Sequence, residues 1–264
     1  MHAFEYVAPA SVADAVAAAA REDAKLLAGG QTLLPTMKQR LAAPSVLVDL
    51  GNIAGMAGIS REGDALVIGA MTHHADVAAS KVVQDAIPGL AKLAGGIGDP
   101  AVRHRGTLGG SLANNDPAAD YPAAALALGA VFVTNKREIA AGDFFKGLFE
   151  TALEDGEIIA KVKFPVPQKS GYEKFRNPAS RYAMVGVFVA KTSAGVRVAV
   201  TGAGSSGVFR HSAMEAALTA NFAAAALAGV KTDPSGMLSD MHGDADYRAH
   251  LVGVMARRAV EAAA

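Results

Sequence analysis

The sequence predicts an α+β chain, with an α/β-like N-terminal region of about 165 residues and a smaller C-terminal domain. Three observations lead there. Strand-like and helix-like runs alternate through the first 135 residues, as expected for helices packed on a sheet. The segment Phe164-Pro-Val-Pro-Gln-Lys-Ser-Gly171 then places two prolines and a glycine within eight residues, which interrupts regular structure and reads as a linker. Beyond it come two β-rich runs and then helical patterns.

The elements follow in order. Ser11 precedes an apolar-rich run, Val12 to Ala20, with Asp14 three positions on, close to a capping box. Lys25 to Ala28 is a short apolar run that ends at a Gly-Gly pair and suits a buried strand. Thr32 to Leu41 reads as a helix, with Pro35 tolerable in its first turn. Ser45 to Leu50 and Ala65 to Ala70 read as strands, and Val77 to Leu93 as largely helical with an interruption near Pro88. Pro122 to Leu128 is a short helix and Ala130 to Thr134 a strand. After the linker, Tyr182 to Lys191 and Val196 to Thr201 are strands; Val185, Val187 and Val189 alternate as on a half-buried strand. The Ala-rich stretch Phe222 to Val230 reads as helix, as does Ala245 to Ala264, where Arg257 and Arg258 complement the helix dipole. No internal repeat is visible.

Composition excludes several classes. Lys plus Arg number 25 and Asp plus Glu 25, so no basic excess points to nucleic acid or an anionic membrane. There is no cysteine, so this chain alone builds no disulfide, zinc-thiolate or ordinary iron–sulfur site. The N-terminal Met-His-Ala-Phe-Glu-Tyr lacks a basic region followed by an apolar core, and no apolar run is long enough to span a bilayer. A cytoplasmic protein is expected.

Two glycine-rich loops carry the chemistry. The first is Lys25-Leu-Leu-Ala-Gly-Gly-Gln-Thr-Leu-Leu-Pro35 and the second Arg105-Gly-Thr-Leu-Gly-Gly-Ser-Leu-Ala-Asn-Asn-Asp-Pro-Ala-Ala-Asp120. Each glycine pair fits either a tight turn or a backbone nest whose N–H groups receive a phosphate. Neither is a Gly-x-Gly-x-x-Gly or a Gly-Lys-Ser/Thr phosphate loop. Six polar side chains around the second loop (Thr107, Ser111, Asn114, Asn115, Asp116 and Asp120) favour a ligand, since a turn needs one or two. Two nests converging on one ligand would suit a dinucleotide.

Other residues invite weaker readings. His73 and His74 are adjacent, point in different directions on helix or strand, and have no third ligand nearby for a metal. Arg103, His104 and Arg105 fit pyrophosphate neutralisation, a solvated turn or a subunit contact. Asp116 precedes Pro117 and reads as a cap or turn, which leaves Asp120 as the better ligand candidate.

The stretches Ala28–Leu41, Arg103–Leu112 and Asp116–Pro122 together resemble the FAD-binding medium subunit of molybdenum hydroxylases, the family of carbon monoxide dehydrogenase and xanthine dehydrogenase. Ile68–His74 and Tyr172–Arg176 add to the likeness, which runs in order to about residue 190. The resemblance implies a PCMH-type FAD-binding domain of two subdomains over residues 1–165. It implies a C-terminal domain of the CO dehydrogenase flavoprotein type, an antiparallel sheet with helices, over residues 166–264.

The resemblance also implies roles. Leu26, Leu27, Ala28, Gly29, Gly30, Gln31, Thr32 and Leu33 match the family's flavin-nucleotide segment, with the amides around Gly29 and Gly30 on the pyrophosphate. Thr107, Gly109, Gly110 and Ser111 match the second phosphate and ribityl contact; Asp120 matches a polar ligand, Ile159 an apolar contact and Lys174 a basic residue near the flavin ring. Thr32 stands where serine is more usual, and Ser111 where asparagine is common. The implied protein carries FAD non-covalently and takes electrons from the [2Fe-2S] clusters of a small partner. It passes them to NAD or a quinone, while a large partner holds the molybdenum cofactor. A dimer of heterotrimers is the implied assembly. The alternatives are a stand-alone flavin oxidoreductase of the same broad fold and a cofactor-free assembly or scaffold subunit. Intact glycines at 29, 30, 109 and 110 argue against the last.

Overall fold

Parallel strands need crossover connections, and the first fifty residues supply them. In the computed structural model, which describes residues 1–264, strand β1 (Glu5–Val7), helix α1 (Val12–Ala19), strand β2 (Ala24–Leu27), helix α2 (Leu33–Lys38) and strand β3 (Val46–Asp49) alternate. The strands form a parallel sheet in the order β1-β3-β2. Ser11 Oγ accepts from the Asp14 amide at 3.1 Å and caps α1.

The α/β-like alternation predicted further along is antiparallel in fact. Strands β4 (Ile59–Glu62) and β5 (Ala65–Gly69) form a hairpin around Gly63, whose φ of +59° suits glycine. Six helices follow: α3 (His74–Ala79), α4 (Lys81–Ala86), α5 (Pro88–Gly95), α6 (Pro100–Arg103), α7 (Leu108–Asn114) and α8 (Tyr121–Leu128). Strands β6 (Val131–Thr134) and β7 (Glu138–Ala140), the short helix α9 (Ala141–Phe144) and a small hairpin, β8 (Phe145–Gly147) with β9 (Glu150–Thr151), come next. Strand β10 (Ile159–Pro165) then returns to the centre of a five-stranded sheet, β4-β5-β10-β6-β7. The run from Val77 to Leu93 breaks at Ser80 as well as before Pro88, because the Ser80 hydroxyl caps α4.

The third sheet is antiparallel, β11 (Lys169–Arg176), β12 (Ala183–Thr192), β13 (Gly195–Thr201) and β14 (Phe209–Arg210), followed by α10 (Ser212–Ala220) and α11 (Ala245–Glu261). Three expectations need correction here. The stretch 164–171 is mostly strand: Phe164 and Pro165 end β10, Lys169 begins β11, and only residues 166–168 connect them. A proline at a strand end breaks no ladder, so its punctuation covers less chain than the sequence suggests. Strand β12 is buried on both faces rather than half-buried. Val185, Val187 and Val189 join the core with Val252 and Met255 of α11, while Phe188 and Ala190 join the core with α8. Of Phe222–Val230, only Ala224–Leu227 is helical, as a single 3₁₀ turn.

Helix α8 is the keystone of the packing. All of its residues except Leu126 are buried, and it contacts β10, β12 and β13. Alanine at 123, 124, 125 and 127 keeps it slim enough to be enclosed on every side. Arg248 ties down the far side: its buried guanidinium donates to the carbonyls of Met184 (2.7 Å) and Gly202 (3.0 Å) and to Asp240 Oδ2 (2.7 Å). No helix is long and apolar enough to cross a membrane.

Strand β11 touches α11 through Gly171, where a β-carbon would overlap the Ala259 carbonyl oxygen. Gly171→Ala should therefore lower stability by about 1–3 kcal/mol. Gly142→Ala, an exposed helical site with nothing within 4 Å, should be neutral or slightly stabilising. Thermal unfolding of the two variants beside the parent checks the contrast.

Candidate functional site

The first glycine loop is a bare row of amides. Strand β2 ends at Leu27 and α2 begins at Leu33, so Ala28–Thr32 is free to turn. Gly30 has φ +72°, a conformation that favours glycine. No hydrogen bond within the chain engages the amides of Gly29, Gly30, Gln31 or Thr32. Four successive uncommitted N–H groups leading into a helix N-terminus make an anion-binding surface.

The second loop is built differently from expectation. Its glycines lie inside α7, not in a nest, and none of the pair has a left-handed φ. Its amides are spent on the protein: Leu108 N donates to Thr72 O (3.0 Å), Gly109 N to Ala70 O (2.7 Å), Gly110 N to the capping Thr107 Oγ1 (3.2 Å) and Ser111 N to Thr107 O (3.1 Å). Glycine is required for space. A β-carbon on Gly109 would lie 2.5 Å from Ala70 Cβ, and one on Gly110 would lie 2.9 Å from Thr107 Oγ1 and 3.1 Å from Ala28 Cβ. What α7 leaves for a ligand is the half-buried side chains of Ser111 and Asn114, neither of which has a partner in the chain.

The loops meet backbone to backbone. A β-carbon on Gly29 would overlap the Arg105 carbonyl oxygen and come within 2.7 Å of Gly106 Cα. Their junction opens into a cleft of about 730 Å³, within the usual range of cofactor sites, about 300–1,000 Å³. Leu26 to Leu33, Thr107, Gly109, Gly110, Ser111 and Ile159 all line it. Asp120 and Lys174 do not.

Asp120 and Lys174 meet each other instead. Lys174 Nζ lies 2.8 Å from Asp120 Oδ1, and the Tyr172 hydroxyl donates to the same oxygen at 2.5 Å. Burial pushes the Asp120 carboxyl above the ordinary carboxylate range, against the pull of Lys174 and Tyr172. Burial and then Asp120 push the Tyr172 phenol up, so it stays protonated. Lys174 and Tyr172 face a smaller hollow of about 260 Å³ that Gly96 also lines, next in sequence to Ile97 of the main cleft.

Several cleft residues carry no sequence signal. His74, Ile97, Val102, Met71 and Leu50 come from separate elements and converge only in the fold. Of these, Met71 and His74 fall in Ile68–His74, a segment the resemblance touches without giving either a role. Arg103 is committed to the Ile97 and Gly98 carbonyls at 2.9 and 3.2 Å, a turn rather than a phosphate contact. Asp116 does cap a turn, accepting from the Ala118 amide at 2.8 Å. The wall bearing Ile159 is braced by Glu157, whose buried carboxylate takes Arg137 Nε (3.0 Å), Thr134 Oγ1 (2.8 Å) and the Glu154 amide (2.9 Å). Arg137 is the chief cause that holds the Glu157 pKa down to about 2.

Comparison with known proteins decides the family. The profile described as "FAD binding domain in molybdopterin dehydrogenase" matches residues 2–167. The chain belongs to this family. Over 280 residues this FAD-binding subunit is 39% identical to the carbon monoxide dehydrogenase medium chain of Hydrogenophaga pseudoflava, covering 98% of this chain and 96% of that one. It is equally 39% identical, over 275 residues and the same shares, to the nicotine 6-hydroxylase medium subunit of Paenarthrobacter nicotinovorans. The solved structure of reconstituted CO dehydrogenase from Oligotropha carboxidovorans superposes with a TM-score of 0.89 at 34% identity, covering 99% of this chain and 97% of that one. The α+β fold of the molybdenum hydroxylase medium subunits is thus that of this chain, an oxidoreductase subunit.

Two outcomes follow from the buried charges. Glu157 has a depressed pKa, so its contribution is complete above about pH 4.5 and is lost as pH falls toward about 2. Glu157→Gln should cost about 1–2 kcal/mol at pH 7, a gap that closes by about pH 2, read from denaturant unfolding at both values. For the ion pair, Asp120→Ala or Lys174→Met alone should cost about 3 kcal/mol or more, and the double variant much less than the sum. A double-mutant cycle in urea checks this.

Proposed function

We propose that this chain is the flavin-carrying electron-transfer subunit of a three-chain molybdenum hydroxylase, holding FAD non-covalently in the cleft between its glycine loops. The observation that carries the reading is the junction at Gly29. Four free amides there line the cleft, and the second loop could not approach if residue 29 carried a side chain. The residues fit the cofactor. Gly29 to Thr32 would hold the pyrophosphate, Ser111 and Asn114 offer hydrogen-bonding side chains, and Ile159 gives an apolar wall. Lys174, in the smaller hollow that Gly96 also lines, would supply positive charge near the flavin ring, with Asp120 holding it in place.

Bound flavin supplies exchange of electrons singly or in pairs. The chain's own task is to bind it, shield it and set its electrostatics. Electrons would arrive from [2Fe-2S] clusters on a small partner and leave to NAD or a quinone. Substrate oxidation belongs to the molybdenum cofactor of a large partner. The relatives' names support that division: medium chains of one fold belong to enzymes of carbon monoxide and of nicotine, so substrate choice lies outside them. We place the complex in the cytoplasm as a dimer of heterotrimers. The FAD-binding domain is taken as residues 1–165 and the C-terminal domain as residues 166–264.

Heat or acid precipitation of the purified protein should release FAD into the supernatant. FMN, or flavin left in the precipitate, refutes the reading. Gly29→Ala should abolish flavin retention while far-UV dichroism stays that of the parent. The chain purified alone should not oxidise any hydroxylase substrate, whereas co-expression with its two partners should restore substrate-driven dye reduction.

A further inference from the structure

His74 is a buried imidazole to which the fold gives no partner. It begins α3, and its amide donates to the Gly106 carbonyl at 3.0 Å, tying it to the second loop. The residue is only 4% exposed, faces the Tyr121 ring at 5.3 Å between centroids, and lines the cleft. Nδ1 is sealed from solvent without a hydrogen bond. Nε2 lies on the side of Gly106, where a β-carbon would sit 2.6 Å from it. Gly106 is also the residue whose Cα abuts Gly29. The ring therefore stands behind the junction of the two loops. Burial first, then His73 and Arg103, hold its pKa down to about 4. At neutral pH the ring thus offers one donor and one acceptor. A buried polar ring without partners is unfavourable until something pairs with it.

We propose that His74 is a binding residue for the flavin nucleotide, hydrogen-bonding it through Nε2 at the junction of the two glycine loops. The inference rests on the FAD reading above and adds a residue that neither the loops nor the resemblance assigns. It also explains why residue 106 is glycine: any side chain there would take the space that Nε2 occupies. A core histidine serving the fold alone would affect stability and leave affinity for the nucleotide untouched.

Amide replacements separate the two roles. Glutamine places its terminal amide near the position of Nε2, and asparagine places its own near Nδ1. Flavin-free full-length chain is titrated with FAD, followed by quenching of flavin fluorescence, and the melting temperature of each flavin-free variant is recorded. His74→Phe should weaken FAD binding by roughly tenfold or more, with the flavin-free melting temperature near that of the parent. His74→Gln should restore affinity to within about threefold, and His74→Asn should not. Gly106→Ala, which crowds Nε2 without touching Nδ1, should weaken binding as His74→Phe does. His74→Phe binding within about twofold of the parent, or asparagine rescuing as well as glutamine, overturns the proposal. If the phenylalanine variant does not fold, the glutamine–asparagine comparison decides. A parent chain that binds no FAD overturns the flavin reading itself, and this inference with it.

Discussion

The contact between Gly29 and the Arg105–Gly106 backbone sets the geometry of everything around it. One loop ends a strand of the parallel sheet, and the other leads into α7 from the helical layer between β5 and β6. They come together because residue 29 carries no β-carbon. The same exclusion of side chains recurs at Gly109 against Ala70 and at Gly110 against Ala28. The loops thus divide the labour. The first keeps its amides free, and the second spends its amides on holding the cleft wall in place. A rigid wall facing a row of uncommitted donors is a preorganised anion site, which lowers the ordering cost of binding.

Buried charge is spread through the fold with its partners supplied. Glu157 has four hydrogen bonds from three residues, Arg248 three acceptors, and Asp120 both Lys174 and Tyr172. Such groups are costly alone and specific when paired. They fix irregular segments that apolar packing cannot: the wall before β10, the stretch ahead of α11, and the start of α8. His74 and its neighbour Tyr121 stand apart, since the ring Nδ1 of one and the hydroxyl of the other are buried without a hydrogen bond.

Much of the fold was legible because local signals and packing agreed. The Ser11 cap, the strand leading into the first glycine loop and the tail helix all form where their residues predict, although of that strand only Leu27 is buried. Failures came where tertiary context overrode the local pattern. Alternating valines in β12 could not reveal that its other face is covered by α8. Prolines 165 and 167 marked a short connection and not a long one. In the site, glycine pairs were visible, but what they were for was not: one needs a left-handed φ and close approach, the other only space. Ile97, Val102 and Leu50 bear no motif and join the cleft through chain folding alone. The pairing of Asp120 with Lys174, 54 positions away in sequence, likewise appears only when β11 lies beside the start of α8.

The enclosed alanine helix has a consequence for cooperativity. One continuous core takes in α8, the five-stranded sheet and, from beyond residue 168, Tyr172, Phe188, Ala190 and Ala199. Neither half of the chain can lose its packing without stripping a face from the helix the other half surrounds. Sub-global opening along the 166–168 connection is therefore suppressed, and the two halves melt as one unit. A fragment cut there would carry a bared apolar face, so the chain's natural breakpoint in sequence is not a breakpoint in energy.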